Sequence, residues 1–237
     1  MQNKKSLLRR LLAIYVTFFV VLVVSLAHSL APNFSRGYAK GTAMGDDIMK
    51  NWVAGTPRQI YLLNRIPVST EGEVLRGGAS DDPVTVRGYV SHLSLTVEEQ
   101  APGRSAMQLA FRSIGGSPWL YLTVMLVPVC LLAIIVMMFF IIGSLRRSIR
   151  EERPLGHRNV VLLRAIGALT IFVELLQDTS AWFMARRAAR LLADTPYAVD
   201  TQLHVSYSTI IMGILVLFAA EVFALGRNLS EEQRLTI

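Results

Sequence analysis

The sequence predicts an all-α membrane protein with four transmembrane helices and a small, β-containing external domain between the first two. Hydrophobic residues make up 52% of the 237 residues and charged residues only 17%, whereas about a quarter of a soluble protein is charged. Four segments are almost free of charge: 11–31, 121–143, 160–183 and 207–225. Each is long enough to cross a hydrocarbon core, which needs about 20 helical residues. A soluble domain is therefore excluded, and so is an outer-membrane barrel, whose strands would alternate.

The four apolar segments divide the chain into nine regions. In order, we predict an N-terminus (1–10), a first span (11–31), an external domain (32–118), a second span (119–143), a cytoplasmic loop (144–159), a third span (160–184), an external loop (185–205), a fourth span (206–225) and a C-terminal tail (226–237). The first span has an alternative interpretation as a secretory signal peptide, because basic residues precede it and small residues end it. Its 21 residues exceed the usual 7–15-residue signal core, which favours a retained span.

The positions of the basic residues predict the orientation in the membrane. The sequence has 24 basic and 17 acidic residues, and eleven of the basic ones lie in the segments 1–10, 144–159 and 226–237. Short segments beside span ends keep Lys and Arg in the cytoplasm, while long loops cross with little regard to charge. Both termini are therefore expected in the cytoplasm. Direct nucleic-acid binding is not expected, because no basic patch with interleaved aromatic residues is present.

The external domain is expected to form a short antiparallel sheet against the membrane. Segment 38–53 has apolar residues at helical spacing, but its glycines and charged residues favour a flexible or turn-rich segment. Strand-like patterns separated by turn residues follow at 59–63, 84–90, 93–97 and 107–111.

Residues suited to catalysis or metal binding are not grouped in this sequence. The motifs HExxH, GxxxxGK and GxSxG do not occur. The single cysteine, Cys130, lies inside a predicted span, which excludes an intramolecular disulfide. The histidines lie in different segments and define no metal site; they are His28, His92, His157 and His204. We therefore expect no enzymatic activity, no cofactor and no metal.

The third span contains a polar cluster that is a candidate polar path or ligand site. Glu174 and Asp178 are four residues apart and share a helix face, with Gln177 beside them. Two acids at mid-depth cost about 5–7 kcal/mol, which cancels the roughly 4–7 kcal/mol that the apolar residues of the span contribute to insertion. The helix must shelter the acids, protonate them or place them near the headgroups. The cluster is thus either structural and interfacial, or a site for an ion, a proton or a ligand.

A second candidate is an intramembrane ion pair between Arg164 and Glu221. Arg164 lies about four residues inside the third span, and Glu221 about four residues before the fourth span ends. Both are therefore expected about 6 Å below the same membrane surface. The two spans should pack as antiparallel neighbours, and an unpaired charge at that depth is costly. We predict that the pair locks the two helices together; the alternative is that each side chain snorkels separately to the headgroups.

Two stretches of the sequence resemble a known family. The first lies at 154–167, where PLGHRNV is followed by LRAIG, and the second joins Ala220-Glu221-Val222-Phe223 and Gly226 to the ending EEQRLTI. They resemble the signatures of a bacterial family of uncharacterised membrane proteins, domain of unknown function 2975. The resemblance covers about 153–237, and Arg234 departs from it, because members often have an acidic residue there.

The resemblance implies a four-span protein of the bacterial inner membrane with no established activity. Family members often look to be encoded beside a small helix-turn-helix regulator, which implies a cytoplasmic regulatory partner in addition to the lipid bilayer. We predict a non-enzymatic sensor or regulator that links the external domain to this partner. The alternative is a small transporter or permease subunit that uses Glu174 and Asp178. Few intramembrane polar groups and no repeat between the halves favour the first hypothesis, and neither hypothesis predicts an oligomeric state.

Overall fold

The chain is mostly helical, with a small antiparallel sheet. The computed structural model describes residues 2–25, 27–28, 31–70, 73–76, 86–151 and 157–235. In chain order the elements are α1 (Gln2–Ser25), α2 (Ala31–Val53), β1 (Arg58–Ser69), β2 (Glu73–Arg76), β3 (Val86–Gly88), β4 (His92–Gln100), α3 (Ala106–Ala110), α4 (Pro118–Glu151), α5 (His157–Leu191), β5 (Ala198–Val199) and α6 (Tyr207–Leu235).

Three helices in the described part of the chain are long and apolar enough to cross a membrane. They are Pro118–Ser148 in α4, His157–Leu191 in α5 and Tyr207–Arg227 in α6, and they contain most of the predicted second, third and fourth spans. In α1 the apolar helical segment found among the described residues is Tyr15–Ser25, which is shorter than a full crossing. Residues 26, 29 and 30 of the predicted first span lie outside the described residues.

The helices continue beyond the predicted spans and into the predicted loop at 144–159. α4 extends to Glu151 and α5 begins at His157, so the described residues of that loop are helical, while 152–156 lie outside the described residues. α6 likewise continues to Leu235 through most of the predicted tail. Arg, Glu and Leu are favourable helix formers, whereas hydropathy marks only where the chain leaves the hydrocarbon. The end of a span therefore does not mark the end of a helix.

The segment 38–53, predicted to be flexible or turn-rich, is instead part of helix α2. Its apolar spacing prevails over its glycines, because each glycine costs a helix only about 1 kcal/mol. Ile48 is buried against Ile60 and Leu109, with Met44 packed beside them. Burial on this one face supplies the stabilisation that the glycines lack.

Most of the segment 107–111, predicted as a strand, lies in the short helix α3. Ser105 caps this helix: the Gln108 amide donates to the Ser105 hydroxyl, and the Ser105 amide donates to the Gln108 side chain. This reciprocal capping box satisfies two amide donors at the helix start. A cap therefore overrides a short apolar pattern that also fits a strand.

The predicted antiparallel sheet is confirmed, with strand order β4-β1-β5 and a separate β2-β3 pair. The predicted strands 59–63 and 93–97 lie within β1 and β4. Residues 86–88 of the predicted strand 84–90 form β3, and 84–85 lie outside the described residues. Sequence patterns missed β5, because a strand of two residues shows no alternation; it lies in the predicted external loop and pairs with the end of β1.

A bulge in β1 determines which residues enter the core. Tyr61 and Leu63 are buried before it and Ile66 and Val68 after it, and the pairing with β4 shifts between Leu63 and Ile66. An inserted residue moves the following side chains to the other face, so the buried positions change from odd to even numbers. This core also contains Leu120, Met184 and Ala188.

Two compact units make up the chain, and each is described by itself. We call Met1–Ala43, Val127–Glu174 and Ser206–Ile237 the helical unit, and Met44–Leu126 and Leu175–Val205 the sheet unit. In the helical unit the ring of Phe139 in α4 contacts Tyr15 and Phe18 of α1 edge-on, at centroid distances of 6.3 and 5.7 Å. In the sheet unit the buried Ser180 hydroxyl of α5 donates to Thr123 of α4.

Candidate functional site

Asp178 contributes to a cavity of about 510 Å³ in the sheet unit, which we call the Asp178 cavity. One wall is a single face of α5, since helical residues three and four positions apart lie side by side. The other walls come from β1, β4 and the segment after β5. The lining residues are Arg65, Pro67, His92, Asp178, Ala181, Trp182, Ala185, Gln202 and His204. The volume falls in the range of small-molecule sites, roughly 300–1,000 Å³.

Strand register and the β1 bulge bring the sheet residues to this cavity. Pro67 pairs with His92 across β1 and β4, and Arg65 lies in the bulge with φ of 54°. Among the described residues, Arg65 is the one non-glycine residue with positive φ. Such residues are uncommon, and bulges often re-aim a side chain beside a functional site. The bulge thus places Arg65 in the wall of the cavity.

The segment after β5 is shaped by hydrogen bonds to Asp200. The Asp200 amide donates to the carbonyl oxygen of Pro67 at 2.9 Å, and the Gln202 amide donates to Asp200 Oδ1 at 2.8 Å. His204 Nε2 lies 3.5 Å from Asp200 Oδ2, which forms an ion pair when the imidazole is protonated. These contacts tie the segment to β1 and place Gln202 and His204 in the lining.

One carboxylate oxygen of Asp178 accepts no hydrogen bond from the other polar groups of the cavity. Its Oδ2 atom is enclosed and makes no hydrogen bond to any described residue. A buried unpaired carboxylate oxygen is costly, and a small polar ligand with an N–H or O–H donor would satisfy it. No group of three or more His, Cys, Asp or Glu side chains that could hold a metal occurs in the part of the chain the structure describes.

The other two members of the predicted polar cluster do not line this cavity. Glu174 is half-buried and Gln177 is exposed, and neither is among the described residues of the cavity wall. Neither side chain forms a hydrogen bond or ion pair within the described residues. The cavity thus joins Asp178 to Arg65, His92 and His204, and not to Glu174 or Gln177.

The structure brings Arg164 and Glu221 together in the helical unit. The Arg164 Nε donates to Glu221 Oε1 at 2.8 Å, and Arg164 Nη2 donates to Oε2 at 2.9 Å. This two-pronged geometry is the strongest that an arginine and a carboxylate adopt. It joins α5 to α6, the two helices that the sequence predicts to be neighbours.

Two glycines lie at the contact of the same two helices. A Cβ atom added at Gly167 would lie 2.9 Å from the carbonyl oxygen of Gly213, and one added at Gly213 would lie 3.1 Å from that of Gly167. Only glycines allow the α5 and α6 backbones to approach this closely. We call Arg164, Gly167, Gly213 and Glu221 the α5–α6 seam.

Sequence reasoning missed a second polar cluster, the Tyr61 network, in the sheet unit. The Tyr61 hydroxyl donates to Glu99 Oε1 at 2.6 Å. Arg187 donates to the Tyr61 hydroxyl and the Gly115 carbonyl oxygen at 3.1 Å each, and to Glu99 at 3.4 Å. Arg187 lies three residues beyond the predicted end of the third span, within α5. An arginine beside an apolar segment is the one signal in the sequence that a partner could be needed, and it does not identify Tyr61 or Glu99 as that partner.

Burial raises the pKa of Tyr61, whose side chain is completely buried. The hydrogen bond to Glu99 raises the pKa further, because it favours the protonated hydroxyl as donor, whereas the hydrogen bond from Arg187 lowers it. Tyr61 therefore stays a neutral donor and links the sheet core to a charged pair.

These features define a helical protein with membrane-spanning candidates and a small sheet unit that holds a cavity lined by both apolar and polar residues. The chain belongs to the family described as protein of unknown function (DUF2975), whose model matches residues 93–237. The match confirms the family predicted from the two C-terminal stretches and extends it towards the N-terminus to include most of β4 and all of α4. No curated protein and no solved structure matches the chain.

Proposed function

We propose that this protein is a non-enzymatic sensor or regulator of the bacterial inner membrane. The Asp178 cavity binds a small polar ligand outside the cytoplasm, and the C-terminal end of α6 contacts a cytoplasmic helix-turn-helix regulator. One observation carries the proposal: α5 is a continuous helix that supplies both a wall of the cavity and Arg164 of the α5–α6 seam. A ligand that displaces α5 can therefore act on α6.

The proposed topology has four spans and both termini in the cytoplasm. The contacts of Tyr15 and Phe18 with Phe139 support α1 as a first span, because they lay its apolar segment along α4. The excess of basic residues in 1–10, 144–159 and 226–237 supports the orientation. The helical extension of α6 to Leu235 supports a partner contact, since it continues the helix that carries Glu221.

The cavity lining favours a sensor over the alternative of a small transporter or permease subunit. A polar path along α5 would use Glu174, Gln177 and Asp178 together, but of these the described cavity wall contains Asp178 alone. The cavity wall also comes largely from the sheet unit's strands and loop, as expected for a ligand-binding domain.

Affinity purification with matched variants tests the proposal. The tagged full-length protein is compared with a chain that ends at Leu225 and with Asp178→Asn, each checked for folding by gel filtration. We expect a helix-turn-helix DNA-binding protein to copurify with the full-length protein and not with the shortened chain. Asp178→Asn should change the recovered amount, whereas the exposed control Asp194→Asn should not.

Two outcomes would contradict the proposal. Equal recovery of the regulator with full-length and shortened chains would remove α6 as the contact. No regulator in either sample, combined with ion flux into liposomes that Glu174→Gln abolishes, would establish the permease instead.

A further inference from the structure

A second cavity in the sheet unit lies beside the start of α4 and the last turns of α5. It encloses about 560 Å³, and we call it the arginine cavity. Its lining includes Trp119 and Leu120 from α4, and Phe183, Arg186 and Arg190 from α5. It is separate from the Asp178 cavity, since the two share no lining residue.

The arginine cavity carries positive charge without a matching carboxylate. No Asp or Glu is among the described residues that line it. The Arg186 guanidinium stacks over the Trp182 ring at 4.0 Å, and Arg190 forms no hydrogen bond or ion pair within the described residues. Both arginines thus keep their N–H donors available for an anion.

Arg187 also lines this cavity, but three of its five N–H donors are already in use. It belongs to the Tyr61 network, and its guanidinium lies against the backbone of the Gly115-Gly116 turn. A Cβ atom at Gly116 would lie only 2.6 Å from Arg187 Nη1, so glycine is required for this approach. Arg187 therefore forms a fixed wall beside the two available arginines.

The arginine cavity has an apolar part and a basic part, and the two are arranged one after the other along the helix axes. Trp119 and Leu120 open the apolar part of α4, and Phe183 closes the apolar part of α5. Arg186 and Arg190 lie about one and two turns beyond Phe183. Tryptophan at the end of an apolar helix and arginine just beyond it are typical of the membrane–water interface. The cavity thus has an apolar end and a cationic end, which correspond to the acyl chains and the phosphate of a phospholipid.

We propose that the arginine cavity binds an anionic phospholipid from the adjacent leaflet. The phosphate accepts hydrogen bonds from Arg186 and Arg190, and the upper acyl chain packs on Leu120 and Phe183. This ligand explains why basic residues follow the third span on the side where the orientation rule expects few. The lipid phosphate supplies the negative charge that no lining carboxylate supplies.

Lipid selection by the full-length protein in nanodiscs tests this site. The nanodiscs contain phosphatidylcholine alone or equal parts of phosphatidylcholine and phosphatidylglycerol, and retained lipids are identified by native mass spectrometry. We expect enrichment of phosphatidylglycerol by about fivefold for each arginine at the headgroup, because the choline ammonium of phosphatidylcholine offsets its phosphate charge. The variant Arg186→Gln/Arg190→Gln should lose this enrichment. The control Arg104→Gln/Arg112→Gln removes the same charge from the sheet unit but not from the cavity, and it should retain the enrichment.

Further measurements distinguish a site for a lipid from a site for free phosphate and from nonspecific charge attraction. Phosphatidylglycerol should raise the midpoint of thermal unfolding in detergent, and inorganic phosphate should not. An equal shift with inorganic phosphate, equal retention of both lipids, or an equal loss in the control variant would each overturn the proposal. If the Gln variant does not fold, Arg186→Lys/Arg190→Lys keeps the charge, and it should retain most of the enrichment.

Discussion

Two arginine–glutamate pairs in this molecule use the same chemistry in different surroundings. In the α5–α6 seam, Arg164 and Glu221 bind each other directly through two short hydrogen bonds. In the Tyr61 network, Glu99 accepts its shortest hydrogen bond from Tyr61, and Arg187 divides its donors among three acceptors. Loss of Arg164 therefore leaves Glu221 without a described partner, whereas loss of Arg187 leaves Glu99 bonded to Tyr61.

The comparison indicates that the α5–α6 seam depends on one ion pair and one pair of glycines, whereas the Tyr61 network spreads its hydrogen bonds over several residues. In the seam, two helices approach through one pair of glycines and one ion pair. In the network, strand, turn and helix residues meet beside a buried core. Substitutions in the seam should thus have the larger effects, and those in the network the smaller ones.

The largest effect is expected from Gly167→Ala. The added methyl group would lie 2.8 Å from Leu217 Cγ and 2.9 Å from the Gly213 carbonyl oxygen, so the helices must separate. We expect a loss of about 1–3 kcal/mol in stability, as for other overpacked sites. Gly226→Ala in α6 is the matched control, because nothing lies within 4 Å of its added methyl group. Thermal unfolding in detergent measures both; equal stability of the two variants would show that the seam is not tightly packed.

The next effect concerns the ion pair of the seam. Arg164→Ala and Glu221→Ala should each lower the folded yield, because each leaves the partner charge unpaired at the depth below the membrane surface that the sequence predicts for the pair. The double variant should lose clearly less than the sum of the single losses. Fluorescence-detected gel filtration of tagged variants measures the folded fraction. Additive losses would mean that the two side chains act separately, as in independent snorkelling.

The seam was accessible to sequence reasoning, and the network was not, for a physical reason. Helical rise converts a residue number into a depth, so Arg164 and Glu221 could be placed at one level from the sequence alone. The cost of a lone charge then required a partner. By contrast, Arg187 meets Tyr61 and Glu99, which are 126 and 88 residues away. No periodicity records which strand, turn and helix will meet.

The Asp178 cavity shows the same difference between a residue that the sequence identifies and neighbours that only the fold brings together. The acid Asp178 was identified because a carboxylate in an apolar helix needs an explanation. Its actual neighbours, Arg65 and His204, reach the cavity through the β1 bulge and the β1–β5 pairing. A bulge and a two-residue strand leave no pattern in the sequence. The sequence therefore predicted the three helices that are long and apolar enough to cross a membrane, and it predicted the polar residue, while the set of lining residues required the fold.

The smallest effect is expected from the ionisation of Tyr61, and it tests whether the network is closed to solvent. The pKa of Tyr61 is raised in the folded protein, first by burial and then by the hydrogen bond to Glu99. In the unfolded chain a tyrosine ionises near pH 10. The stabilisation from neutral Tyr61 is therefore complete below about pH 10 and is lost as the pH rises from there through the raised pKa.

Unfolding midpoints between pH 8 and pH 11 should accordingly fall more steeply for the wild type than for Tyr61→Phe, which has no hydroxyl to ionise. At pH 8 the phenylalanine variant should itself be less stable by about 1 kcal/mol, because the Glu99 and Arg187 groups lose a partner. Tyr89→Phe is the control at an exposed tyrosine of the sheet unit, and its pH profile should follow that of the wild type. Parallel profiles for wild type and Tyr61→Phe would show that the hydroxyl is open to solvent. The network would then be a surface contact, and the contrast with the seam would rest on the glycines alone.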